Sequence, residues 1–163
     1  MSLMGNKAIF RLDIDEYPNT KTGKNLTGGE LENGAFVEID VLTGSLVDKD
    51  THNLNKLSGE DNKVVGFVSD PCLMYDESKT ERDFICPVGA LIRTYIPNET
   101  TVSTHALKHF DAKGAGIEVG DLLCVNPAST QLKKVAEGEK AVAQVIAREF
   151  FEEQESLVLR FIK

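Results

Sequence analysis

One nine-residue pattern occurs twice in this chain. Leu31-Glu32-Asn33-Gly34-Ala35-Phe36-Val37-Glu38-Ile39 lies over Ile117-Glu118-Val119-Gly120-Asp121-Leu122-Leu123-Cys124-Val125 without a gap, at an offset of 117 − 31 = 86 residues. In both copies Glu-x-Gly precedes an apolar run. Glycine reaches positive φ without the cost a Cβ imposes, so the pattern predicts a tight reversal that sends the following residues into a core strand. The match continues through Thr43/Ser129 to Leu46/Leu132. After a shorter excursion in the second half, Gly66-Phe67-Val68 falls against Gln144-Val145-Ile146. Leu91-Ile92-Arg93-Thr94-Tyr95-Ile96 then falls against Leu157-Val158-Leu159-Arg160-Phe161-Ile162.

The rest of the pattern is that of a mostly β chain. Short runs rich in β-branched and aromatic residues cover 35–42, 64–69, 84–96, 122–126, 141–149 and 157–162, with turn residues between them. Near the start, Ala8, Phe10, Leu12 and Ile14 alternate with Lys7, Ile9, Arg11 and Asp13, which predicts a first strand with one lapse, at Ile9. From Tyr17 to Glu30 the chain is Pro, Asn, Thr, Lys and Gly with a single Leu26, and reads as a flexible polar arm or long loop. The polar stretch 48–63 reads as an exposed excursion, and Ser103 to Ala112 as a helical turn stopped by Gly114 and Gly116. The expected organisation is therefore an N-terminal strand and arm (1–30), a β-unit (31–97), a connector (98–116) and a second β-unit (117–163). Both units are expected to be small and barrel-like, in tandem.

Charge and cysteine content narrow the function classes. With 18 basic and 26 acidic side chains the net charge is −8, which opposes a phosphate-binding surface, and no basic cluster compensates. Nucleic acid is not an expected partner. Neither is a membrane, because no apolar run approaches the ~18 residues that would span one, and the start of the chain lacks the layout of a signal peptide. A cytosolic origin is expected. Cys72, Cys86 and Cys124 form an odd set with no C-x-x-C spacing, so reduced thiols are expected, with Cys124 in the core.

Three strings carry a family likeness: Leu122-Leu123-Cys124-Val125, then Leu132-Lys133-Lys134-Val135, then Ala141-Val142-Ala143-Gln144-Val145-Ile146-Ala147. This succession of Gly turn, apolar strand, Leu-x-Lys strand and small-residue apolar strand resembles the small β-barrel decoration, or cement, proteins of tailed-phage heads. Head-fibre bases are similar. The likeness is best over 31–47 and 117–163. It implies attachment to the major capsid protein on the capsid exterior of a virion assembled in the host cytoplasm, reinforcement of the shell against internal DNA pressure, and no catalysis. It also implies a homo-oligomer, with a trimer favoured for a threefold lattice position. Two units, where such proteins often carry one, are a departure. The arm residues Tyr17, Lys21, Lys24 and Leu26 are the expected capsid contact, the arm adding to an exposed strand edge. A head-fibre base or tail-associated module is the alternative among virion proteins, and a small hydrolase or ligand-binding β-barrel the alternative from another class.

The remaining constellations have plainer explanations. His105 and His109, four residues apart with Asp111 close by, have a metal-ligand spacing on a helix, but no Glu completes an H-E-x-x-H order and a solvated connector suffices. Asp13, Asp15 and Glu16 lack the glycine of a calcium loop, and Glu149, Glu152, Glu153 and Glu155 read as an acidic hairpin tip. Lys21-Thr22-Gly23-Lys24 lacks the first glycine, the strand and the helix of a phosphate loop. The sequons at Asn25 and Asn98 carry no weight without a secretion signal. No nucleophile elbow is present. No catalytic residue, metal ligand or cofactor is therefore assigned.

Overall fold

The structure is a computed structural model that describes residues 10–12, 19–44, 51–70, 84–97, 101–151 and 154–162. Tyr17, the acidic group at Asp13, Asp15 and Glu16, and Cys72 lie outside the described residues. The chain is mostly β, as its patterning predicts. Its first half holds β1 (Phe10–Leu12), β2 (Asn19–Asn25), β3 (Leu31–Glu32), β4 (Phe36–Gly44), β5 (Thr51–Asn55), β6 (Val64–Val68), β7 (Ile85–Cys86) and β8 (Leu91–Ile96). The second holds β9 (Thr101–Thr104), β10 (Leu122–Val125), β11 (Leu132–Lys134), β12 (Ala143–Phe151) and β13 (Gln154–Phe161).

Strands β2-β5-β4-β6-β8 form a closed barrel, with β8 returning to β2. The second sheet runs β1-β9-β13-β12-β10-β11. Strand pairing makes β2, β4, β5, β6 and β8 equivalent to β9, β10, β11, β12 and β13, while β3 pairs with β7 in a two-stranded sheet that the second half lacks among the described residues. Phe36 faces Phe67 and Val37 faces Gly66, just as Leu122 faces Gln144 and Leu123 faces Ala143. The reversal at the start of each unit is the same down to its hydrogen bonds. Gly34 N donates to Val68 O (2.9 Å) and Gly120 N to Val145 O (2.7 Å). Val68 N donates back to Ala35 O (3.0 Å), and Val145 N to Asp121 O (2.9 Å). Gly34 and Gly120 take φ of 99° and 96°, the left-handed region that the Glu-x-Gly pattern predicts.

Register corrects the sequence alignment in two places. Val68 corresponds to Val145, and Tyr95 to Arg160, so the later strands of the second half align one residue earlier than their sequences suggest. Leu132 corresponds to Leu54 rather than to Leu46, because Ile39 faces Leu54 just as Val125 faces Leu132. The β4–β5 hairpin is longer than the β10–β11 hairpin, so residues 51–55, read as part of an exposed excursion, are a barrel strand whose Leu54 is fully buried.

Each unit also begins one strand earlier than expected. Residues 19–25, read as arm, are β2, with Thr20, Lys21, Thr22 and Gly23 opposite Tyr95, Thr94, Arg93 and Ile92. Thr101–Thr104, read as connector, is β9, with Thr101 opposite Arg160 and Thr104 opposite Leu157. The two strands occupy the same place. Polarity misled because β2 needs few apolar residues of its own: its inward position is Gly23, where a Cβ would stand 2.4 Å from Leu54 Cδ1. Its neighbours fill the core for it, and threonine suits the pleat. Of the expected helical turn, two 3-10 turns remain, at Leu107–His109 and Asp111–Gly114, the second with Ala112 and Lys113 at positive φ.

Closure differs between the units. In the first, β2 and β5 run parallel over four residue pairs, Thr22–Thr51 to Asn25–Leu54. In the second, a single parallel bridge, Phe110–Leu132, stands where Asn25–Leu54 stands in the first. The free side of β9 is instead taken by β1, from the start of the chain.

Two cores result. Leu31, Ala35, Val37, Ile39, Leu54, Val68, Cys86 and Ile92 fill the first barrel. The second core is shared: Phe36 and Phe67, on the outer face of the first barrel, lie among Phe110, Leu123, Leu132, Val145, Leu159 and Phe161. Phe36 meets Phe110 edge-on (5.6 Å between centroids), and Phe67 stacks between Tyr95 (5.4 Å) and Phe161 (5.7 Å). Each such ring is worth about 1.5–3 kcal/mol by burial alone. Backbone bonds Leu57 N to Ser129 O (2.9 Å), Ala128 N to Leu57 O (2.7 Å) and Phe36 N to Thr130 O (3.1 Å) fasten the same junction.

Candidate binding surface

Asn25 fixes one end of the first barrel. It is fully buried, and its Nδ2 donates to Gly29 O (2.9 Å), Cys86 O (3.1 Å) and Pro87 O (3.3 Å). Its Oδ1 accepts from Thr27 N (3.1 Å) and Thr27 Oγ1 (2.8 Å). Its backbone holds the 87–90 turn through Asn25 N to Ala90 O (2.9 Å) and Gly89 N to Asn25 O (2.7 Å). An unpaired buried amide costs roughly 1–3 kcal/mol, so a fully satisfied one rigidifies this end. The sequon read as weightless is a structural hub whose amide is consumed internally.

The hub turns apolar side chains outward. Leu26 is 43% exposed, Val88 54%, Leu91 57% and Ile85 46%, four of the nine large apolar residues exposed among the described residues. Lys24 stands opposite Leu91 on the adjoining strand. Of the sequence candidates, Lys24 and Leu26 are thus brought together beside Leu91 and Val88. Lys21 lies further along β2 opposite Thr94, at a shallow basin shared with Arg93 and Asp70. The Asp70 carboxylate accepts from Arg93 N (3.1 Å). Val88 and Leu91 escaped sequence reasoning because nothing local distinguishes them from core residues; the Pro87–Val88–Gly89 turn was the available signal.

A second concavity of about 240 Å³ lies between the units. Leu57, Val65, Val142 and Phe161 line it, and Glu38, Asp61, Lys63 and Lys140 stand around it. Glu38 is 8% exposed and already engaged: Ser58 N donates to its Oε2 (3.0 Å), and Lys63 Nζ is 4.0 Å from its Oε1.

The titratable residues serve the fold. The Cys124 thiol donates to Glu139 Oε2 (3.2 Å), and burial followed by Glu139 pushes it up to about 11, so it is a protonated core thiol. Lys133, the Ala136 amide and Cys124 hold Glu139 down to about 2. Burial and then Lys108 push His109 down to about 3; its ring bonds the Asn33 backbone, and its Nε2 has no partner among the described residues. His105 Nδ1 instead contacts Glu155 O (3.3 Å), so the two imidazoles do not converge. Among the described residues no three His, Cys, Asp or Glu side chains gather as a metal site. No family model matches this sequence, and no curated protein or solved structure matches it either.

Proposed function

We propose that this chain is a non-catalytic structural protein of a phage head, a decoration protein that binds the major capsid protein from outside and stabilises the shell. The observation that carries this reading is the end of the first barrel, where Leu26, Ile85, Val88 and Leu91 are exposed beside Lys24 on a backbone fixed by Asn25. Apolar side chains held outward on a rigid scaffold suit docking to a fixed lattice, since little ordering entropy is lost on binding. The burial of Phe36 and Phe67 in the second unit's core adds stiffness. The strand-adding arm expected over 15–30 is replaced in this reading by a preformed surface.

Cosedimentation with mature and immature capsids, with copy number read from gel densitometry, tests the reading. Saturable binding at a lattice-related copy number is expected, and both Leu26→Asp and Leu91→Asp should abolish it. Absence of binding to any shell, or undiminished binding by both variants, would overturn it. The groove between the units favours a second reading, a ligand-binding barrel, in which a small molecule with an apolar body would raise the melting temperature and Val142→Trp would remove that shift.

A further inference from the structure

The face of β4 that lends Phe36 to the second unit presents Glu38 next, because alternate residues of a strand share a side. Glu38 stands opposite Val65 on β6. It is 8% exposed, in the wall of the groove between the units, whose apolar floor is Leu57, Val65, Val142 and Phe161. A carboxylate buried against apolar side chains is costly unless both of its oxygens are satisfied.

Only one of them is. Ser58 donates to Oε2 from its N (3.0 Å) and from its Oγ. Leu57 N to Ser129 O (2.9 Å) and Ala128 N to Leu57 O (2.7 Å) pin the loop that carries Ser58, so both units hold this oxygen in place. Oε1 accepts no hydrogen bond among the described residues. The Lys63 ammonium stands 4.0 Å from it, beyond hydrogen-bonding range, and lies as close to Glu60 Oε2 (3.9 Å).

We infer that the groove binds a small apolar amine, its body against Leu57, Val65, Val142 and Phe161 and its ammonium on Glu38 Oε1 in place of Lys63. The inference deepens the ligand-binding reading of this groove and rests on it, but not on the capsid. Size agrees: the groove's volume of about 240 Å³ exceeds the roughly 150 Å³ that accepts a benzene ring, leaving room for a ring with a short alkyl chain. Charge agrees as well. Glu38, Glu60 and Asp61 line the groove against Lys63 and Lys140, three carboxylates to two ammoniums, on a chain of net charge −8. Lys140 is exposed, so an anionic ligand would gain a hydrated surface ion pair there, whereas an ammonium at Glu38 gains one screened from water.

Isothermal titration of the full chain at neutral pH with phenethylamine, phenethyl alcohol and phenylpropionate tests this without any capsid. The amine should bind roughly tenfold more tightly than either analogue. Glu38→Gln, which keeps an acceptor for Ser58, should erase that preference. Lys63→Met should tighten the amine by removing its competitor, an effect that a merely structural Glu38–Lys63 pair would not produce. Val142→Trp should abolish binding of all three, each variant keeping wild-type circular dichroism. An amine that binds no better than the alcohol overturns the inference, as does a preference that survives Glu38→Gln or an affinity unmoved by Lys63→Met. Preference for the carboxylate overturns the ligand class and leaves the ligand-binding reading standing; binding of none of the three overturns both.

Discussion

The two units are built on one plan and stabilised by different means. The first closes on itself through four parallel pairs between β2 and β5, and is so tight that Gly23 and Gly66 stand where any Cβ would collide. The second stays an open sheet, with the single isolated bridge Phe110–Leu132 at its β11 side, and has Ala143 where the first has Gly66. It depends on rings lent by its neighbour. One plan thus supports a closed, self-sufficient barrel and an open, dependent sheet, and the difference lies in which face points at the other unit.

The sharpest way to break this contrast is Phe36→Ala. Removing a fully buried phenylalanine costs about 3–5 kcal/mol, and the loss should appear first in the second unit. Hydrogen exchange should accelerate at Val102, Leu157 and Leu159 before Val37 and Ile39; equal acceleration in both units would refute the dependence.

Acid should act at the same junction. His109 sits between Lys108, which is ion-paired with Glu32, and Phe110, which is packed on Phe36. Its folded-state value of about 3 lies below the ordinary 6.5, so the folded state keeps it neutral while the unfolded chain takes up a proton. Stability is therefore complete above pH 6.5 and falls as the pH drops towards 3, by as much as about 4 kcal/mol from this group. In denaturant titrations between pH 6.5 and 5, before the carboxylates dominate, His109→Gln should show a flatter slope than the wild type.

Within the first barrel, Gly66→Ala forces a Cβ to 2.5 Å from the Tyr95 carbonyl and 2.5 Å from Ile39 Cδ1, and should cost about 2–3 kcal/mol. The reciprocal change in the second unit, Ala143→Gly, should cost only about 1 kcal/mol. Similar losses from the two variants would mean that the units are equally tight. Gly120→Ala meets no atom within 4 Å and pays only for its φ of 96°, again about 1 kcal/mol, and Gly120→Asn should cost least of all. These values are readable as midpoint shifts in one urea series.

The sequence reveals most where local chemistry and fold agree. Gly34 and Gly120 announce their turns, and the runs entering β4 and β10 announce core strands, because a positive φ and a β-branched pleat leave marks in composition. Strand β2 leaves almost none. Thr20-Lys21-Thr22-Gly23 and Thr101-Val102-Ser103-Thr104 share only an alternating hydroxyl, and the strand exists because β5 and β8 supply what it packs on. The candidate surface was legible only in part: Lys24 and Leu26 stand together, but Val88 and Leu91 join them only through the hydrogen bonds of Asn25, a contact across more than 60 residues of chain.

The lending of Phe36 and Phe67 to the second core has a consequence for synthesis on the ribosome. All five strands of the first barrel lie within residues 19–96, so that barrel can close while the second half is still being made. Until residues 101–161 emerge, both rings face solvent and β1 has no β9 to pair with. The nascent chain therefore passes through an interval in which a finished barrel carries an uncovered aromatic face, and a chain arrested near residue 97 would be folded yet adhesive.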